Sequence, residues 1–199
     1  DLGAFYLDVL KDRLYTTAAG SPARRSAQTA LWTITQAMLR WMAPFLSFTA
    51  EEAWKLLHPD AVSIFTETFL DLGTPDAALL ARWARVQAIR EVVNKAIEDV
   101  RTQGGVGSSL QAKVRIGAAG DDLALLRSLG EDLKFVLISS QVDVVEAGEL
   151  GVTVTPSTAT KCERCWHWRD DVGHDAAHPG LCGRCTSNLY GGGETRRVA

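Results

Sequence analysis

Two C-x2-C pairs near the end of the chain, Cys162/Cys165 and Cys182/Cys185, hold all four of its cysteines. Sixteen residues separate the pairs, a spacing within the range of four-thiolate zinc sites. Each pair can turn tightly enough to aim both sulfurs at one ion. Two pairs supply the tetrahedral coordination that zinc accepts without redox chemistry. One structural zinc ion is therefore expected. Gly180 and Gly183 suit the turns around the second pair. Two disulfides fit less well, because export is not expected without an apolar signal segment. A redox pair needs one such motif at a helix start, not two that mirror each other. His167, His174 and His178 lie between the knuckles, but four thiolates already close a structural site.

Charge argues against a diffuse nucleic-acid binder. The formal net charge of the 199 residues is −3. Residues 161–199 carry six basic and five acidic side chains and are the only net-basic part, an excess that four thiolates on zinc remove. Contact with nucleic acid must then be local and geometric. No run is apolar enough to suggest a membrane span.

The first half reads as a helical bundle. Leu2, Tyr6, Val9, Leu10 and Leu14 recur at helical spacing, with Asp8, Lys11 and Asp12 opposite. Residues 18–26 read as a loop. Ala27, Ala30, Leu31, Ile34, Met38, Trp41, Met42 and Phe45 then mark one apolar face, interrupted at Pro44, and its aromatic and Met stripe is expected in the core. Thr49 and Glu52 suggest a capping box for a short helix that ends at Pro59. Residues 60–76 read as a long connection with one short strand. Leu79, Trp83, Val86, Val93, Ile97 and Val100 predict a helix of five or six turns, stopped by Gly104, Gly105 and Gly107.

The texture changes near residue 108. Leu110, Ala112, Val114 and Ile116 alternate as a strand, residues 121–137 read as one or two short helices, and two more strands follow. The expected class is mainly α: a helical bundle over 1–107, a small α+β unit over 108–158 and a four-cysteine zinc module over 159–199. The opening on a helix without Met reads as a piece of a longer protein.

No phosphate-binding glycine loop is present, and Ser108 and Ser109 lack an evident His base, so no self-sufficient active site is expected and no catalytic residue is assigned. The zinc segment offers binding groups instead. Trp166 and Trp168 flank His167, Arg164 and Arg184 sit inside the knuckles, and Arg196 and Arg197 follow in the tail. A rigid knuckle can present an aromatic face to an unpaired base and an arginine to a base edge or phosphate. An aromatic beside a knuckle serves equally to pack over the metal site.

Several stretches, in order, resemble the C-terminal region of the bacterial isoleucyl-tRNA synthetase family: FYLDVLKDRLYT, ALWTITQAMLRWMAPFLSFTAEEAW, VGSSLQAKV, LKFVLISSQV and KCERCWHW with CGRCTSNL and GGGETRR. The resemblance covers nearly the whole chain. It implies a helical anticodon-binding bundle, a small α+β junction domain and a zinc module held by Cys162, Cys165, Cys182 and Cys185. It implies the anticodon stem-loop of tRNA-Ile as partner, with Arg164 and Trp166 at the contact, and a cytoplasmic, monomeric protein. The family's ATP-binding signatures and inserted editing domain are absent here. ATP and magnesium would therefore belong to catalytic and editing domains of the same full-length chain, and this stretch alone is expected to be inactive as a ligase. Two rivals remain: a zinc module of the formamidopyrimidine-DNA glycosylase type, which grips duplex DNA, and a module used only for intramolecular docking.

Overall fold

The computed structural model describes residues 2–198. It is mainly helical, with a small sheet and a four-cysteine cluster. Two compact units are present, residues 1–24 with 76–199, and residues 25–75.

In the first unit a wide π turn, Leu2–Leu7, leads into helix α1, Asp8–Thr16. Helix α2, Pro22–Met42, begins in this unit and continues into the other. It starts earlier than the expected loop allows. Pro22 has the right φ and no N–H to lose at a first helical position, and the Ser21 hydroxyl accepts from the Arg24 amide at 3.2 Å.

Helix α4, Ala77–Thr102, has 26 residues and outruns the predicted five or six turns, because Asp76 caps it by accepting from the amides of Ala78 and Leu79. It ends as expected. Gly104 takes a left-handed conformation (φ +78°) and its neighbour Gly105 donates to the Val100 carbonyl, a closure that favours glycine.

Strand β1, Ala112–Ala118, is the centre of a three-stranded sheet. It runs parallel to β2, Gln141–Glu146, and antiparallel to β3, Gly151–Pro156. The parallel pairing requires a crossover, supplied by α5, Gly120–Leu129, and α6, Leu133–Val136. Alternation puts Ala112, Val114 and Ile116 inward, where they meet Val86, Ile89, Val93 and Ile97 of α4 and Leu123 and Leu126 of α5. Val9 of α1 joins the same core.

The second unit has its own small core: Leu39, Ala43, Ala50, Trp54 and Ile64, from α2, α3 (Ser47–Leu57) and a 3-10 turn at Ile64–Thr66. Three expectations change here. The predicted stripe is only in part the buried face. Ala27 is buried and Met42 packs on the core as expected, but Trp41 and Met38 are exposed and Phe45 is 80% exposed, while Gln36, Ala37 and Leu39 face inward. Nor is there a capping box. The turn at Pro44–Leu46 runs directly into α3, so Thr49 already lies inside the helix and Leu46 offers no side-chain cap. Finally, residues 60–76 contain no strand. Glu51 instead gathers the Ser63 hydroxyl (2.9 Å) and the Ile64 amide (2.8 Å), which drives Ile64 into the core.

Candidate metal centre and nucleic-acid interface

A two-stranded hairpin, β4 (Thr160–Lys161) with β5 (Trp168–Arg169), carries the first cysteine pair at its tip. Cys182 precedes helix α7, Gly183–Tyr190, and Cys185 lies in its first turn. The two pieces are stitched by Glu163 N–H to the Gly180 carbonyl at 3.0 Å. The Cys182 amide also points at the Cys162 sulfur, 3.4 Å away.

All four sulfurs are buried and lie within 4.8 Å of one another. Cys165 and Cys182 are 3.8 Å apart. A tetrahedron of ~2.3 Å zinc–sulfur bonds has edges of about 3.8 Å, so the donor set fits zinc. A disulfide would need sulfurs at ~2.05 Å, and all four cysteines are free. Hydrogen bonds from Cys165 and Cys185 push the Cys182 thiol down to about 3, against burial, and the same contacts push Cys185 up. Four protein thiolates leave no open position for water, so zinc bound there supplies structure rather than reactivity.

The left-handed residue of the first knuckle is Trp166, at φ +64°, with its amide bonded to the Cys162 carbonyl at 2.9 Å. Neither Gly180 nor Gly183 needs a positive φ. A bulky side chain in this region is strained by ~1–3 kcal/mol, and such strain concentrates at functional sites. The ring is 60% exposed, with the Lys161 ammonium 5.2 Å from its centroid. Beneath it opens a cavity of about 670 Å³ whose lining includes Lys11, Tyr15, Ser109, Ile138, Lys161 and Trp166. Ile138, also in the lining, is the only other non-glycine residue at positive φ among the described residues (+52°).

The predicted binding residues separate into groups. Arg164 reaches the end of α1 and donates to the carbonyls of Thr16 (2.7 Å) and Tyr15 (3.2 Å), the orphan acceptors of a helix terminus. Trp168 is half-buried on β5, and its amide donates to the Ser140 hydroxyl at 2.7 Å. Arg197 is exposed and is held through its backbone amide, which donates to Asp132 at 2.7 Å. Arg184 and Arg196 lie elsewhere. Their side chains are only 7% and 1% exposed and pair with Asp12 and Glu194, so the structure gives them an internal use in place of the expected open one. His167 and Phe135 close this group: His167 sits 3.6 Å from Asp12, and both guanidiniums lie over the Phe135 ring.

Sequence reasoning missed Asp12 and Lys161. Asp12 reads as part of a polar helix face, with nothing to announce partners at positions 184 and 196. Burial by itself would raise its carboxyl, but hydrogen bonds from His167 and Arg184 and the charges of Arg184 and Arg196 hold it well below the usual carboxylate range.

Residues 1–116 match the family described as the anticodon-binding domain of tRNA ligase. The chain belongs to that family. Residues 160–188 of this anticodon-binding chain also match a family described as a zinc finger found in FPG and IleRS. Similar curated proteins carry the name isoleucine--tRNA ligase. One from Bordetella petrii is 64% identical over the whole chain, one from Bordetella avium 59% and one from Azoarcus sp. (strain BH72) 56%. In each case the chain spans 22% of the relative's length. Among the described residues no helix is long and apolar enough to cross a membrane.

Proposed function

We propose that this anticodon-binding chain is the tRNA-recognition end of an isoleucine–tRNA ligase and that it receives the anticodon loop of tRNA-Ile at the zinc module. The exposed Trp166 ring, held in a strained conformation above an open cavity, carries this reading. An unpaired base stacked there would gain ~1–3 kcal/mol. Lys161 lies against the ring and suits a phosphate or base edge, and Arg164, whose guanidinium bonds the α1 carbonyls, would share those bonds with the RNA. Among the tail arginines, Arg197 is exposed and would be the one to reach RNA. Trp168 would contribute through its exposed edge.

In this reading residues 1–107 hold the stem, 108–158 join the bundle to the module, and 159–199 contact the loop. The protein works in the cytoplasm as a monomer. Ligation with ATP and magnesium belongs to catalytic and editing domains of the full-length chain, and the residues described here form no isoleucyl adenylate alone. The docking rival also has an observation in its favour, because Arg164 and Arg184 both bind α1.

The test is binding of the zinc-loaded protein at fixed salt to a tRNA-Ile transcript, the same transcript with a changed anticodon, and a DNA duplex. Preference for the native anticodon supports recognition by the module. Preference for the duplex supports the glycosylase-type rival. Equal weak binding to all three supports docking.

A further inference from the structure

The buried ion group ties together segments that are far apart in sequence. Asp12 of α1 accepts a two-pronged bond from Arg184 of α7, Nη1 to Oδ1 at 2.8 Å and Nη2 to Oδ2 at 3.0 Å. Arg196 of the tail donates to the same Asp12 Oδ1. Glu194 pairs with both arginines and is itself fixed by Asn188, whose Nδ2 donates to Oε1 at 2.8 Å and whose Oδ1 accepts the Glu194 amide at 2.9 Å. Two carboxylates and two guanidiniums balance, so the group can be buried without leaving net charge. Thr16 and His167 occupy remaining acceptor positions of Asp12.

These contacts bear on the cavity. One wall comes from α1, through Lys11, Asp12 and Tyr15. Another comes from the knuckle, through Lys161, Arg164 and Trp166. The ion group and the Arg164 bonds to the α1 carbonyls join the two walls. The Arg164 bonds end on main-chain acceptors of a helix terminus. Asp12 adds a charge-assisted bidentate attachment, of the kind that fixes orientation as well as distance.

The geometry points to Asp12 as a positioning residue: through Arg184 and Arg196 it sets the seat of the zinc module on α1, and with it the width of the cavity beneath Trp166. The tail at 194–196 is then an internal clasp rather than an RNA-binding arm. This inference rests on the proposed recognition of an anticodon only for its functional consequence. The seating itself is independent of RNA.

Asp12→Asn is the variant, with Asp12→Asn/Arg196→Gln as a charge-balanced companion if the single change fails to fold, and Asp12→Glu as the conservative rescue. Hydrogen exchange of the zinc-loaded proteins reads the seating. Exchange over 160–198 should quicken on the order of tenfold with one zinc ion still bound, while α4 and β1 stay protected. The ratio of affinities for native and changed anticodon transcripts should fall by about tenfold, the scale of positional coupling through a packed contact, and Asp12→Glu should restore part of it. Unchanged exchange in both variants overturns the inference. So does quickened exchange with an unchanged anticodon ratio. If the unsubstituted protein itself shows no anticodon preference, the proposed function fails, and exchange still decides the seating.

Discussion

The sheet region and the zinc module share one compact unit but are held by different forces. Around β1 the interior is aliphatic: Val93, Ile97, Ile116 and Leu126 are shielded from water and packed against one another. In the module, among the described residues, the hydrophobic side chains packed against the four cysteines are Val172 and Leu181. What shapes the module is a four-thiol donor set, a balanced ion group and two arginines over one phenyl ring. One region is stabilised by the apolar area it removes from water, the other by directed charges and by the metal its four cysteines would hold. Two perturbations should therefore separate them: chelation acts on the module, and cavity creation acts on the sheet.

Chelation should have the largest effect. Structural zinc in small modules contributes on the order of 10–16 kcal/mol of apparent binding energy at neutral pH, and that energy is folding energy. Removing it should open residues ~160–190 and release the tail, since Glu194 and Arg196 are tied to Arg184 and Asp12. Helix α4 and strand β1 should keep their protection in hydrogen exchange. Loss of protection across α4 on chelation would break the comparison, because it would make the metal a keystone of the aliphatic core as well.

Leu126→Ala is the converse. Leu126 is 1% exposed beside β1, and truncation at such a site costs about 2–5 kcal/mol through lost transfer energy and the cavity left behind. Urea unfolding at saturating zinc should show that loss, with zinc stoichiometry unchanged. Zinc release at the same urea concentration as the loss of helix would show that the two regions unfold as one.

The same contrast explains what could be read in advance. Zinc was legible because metal coordination constrains cysteine spacing within short segments. Helix α4 and strand β1 were legible because a helix or strand with one buried face repeats its apolar residues with a fixed period. The face of α2 was misjudged because size stood in for burial: Trp41 and Phe45 look like core, yet Ala37 and Leu39 are the residues that pack. The ion group was invisible. Asp12 and Arg196 are 184 residues apart, and each alone looks like an ordinary surface charge. The left-handed Trp166 had no local signature either, since such a position would ordinarily call for glycine.

That last point yields the smallest and most discriminating change, Trp166→Gly. Glycine removes the ~1–3 kcal/mol of backbone strain at φ +64°, and gives back ~0.5–1 kcal/mol through the greater freedom of the unfolded chain. Loss of the Lys161 contact removes a further ~0.5–1 kcal/mol at an exposed ring. These contributions oppose one another, so stability at saturating zinc should move by no more than about 2 kcal/mol. Affinity for the tRNA-Ile transcript should instead fall roughly 5- to 150-fold, the loss of one base stacked on an aromatic ring. A protein that keeps its zinc and its stability while losing the RNA shows that strain at Trp166 is retained for binding. A protein that loses zinc with RNA affinity unchanged shows that the ring packs the module together, and the module then belongs wholly to the metal-and-charge side of the comparison.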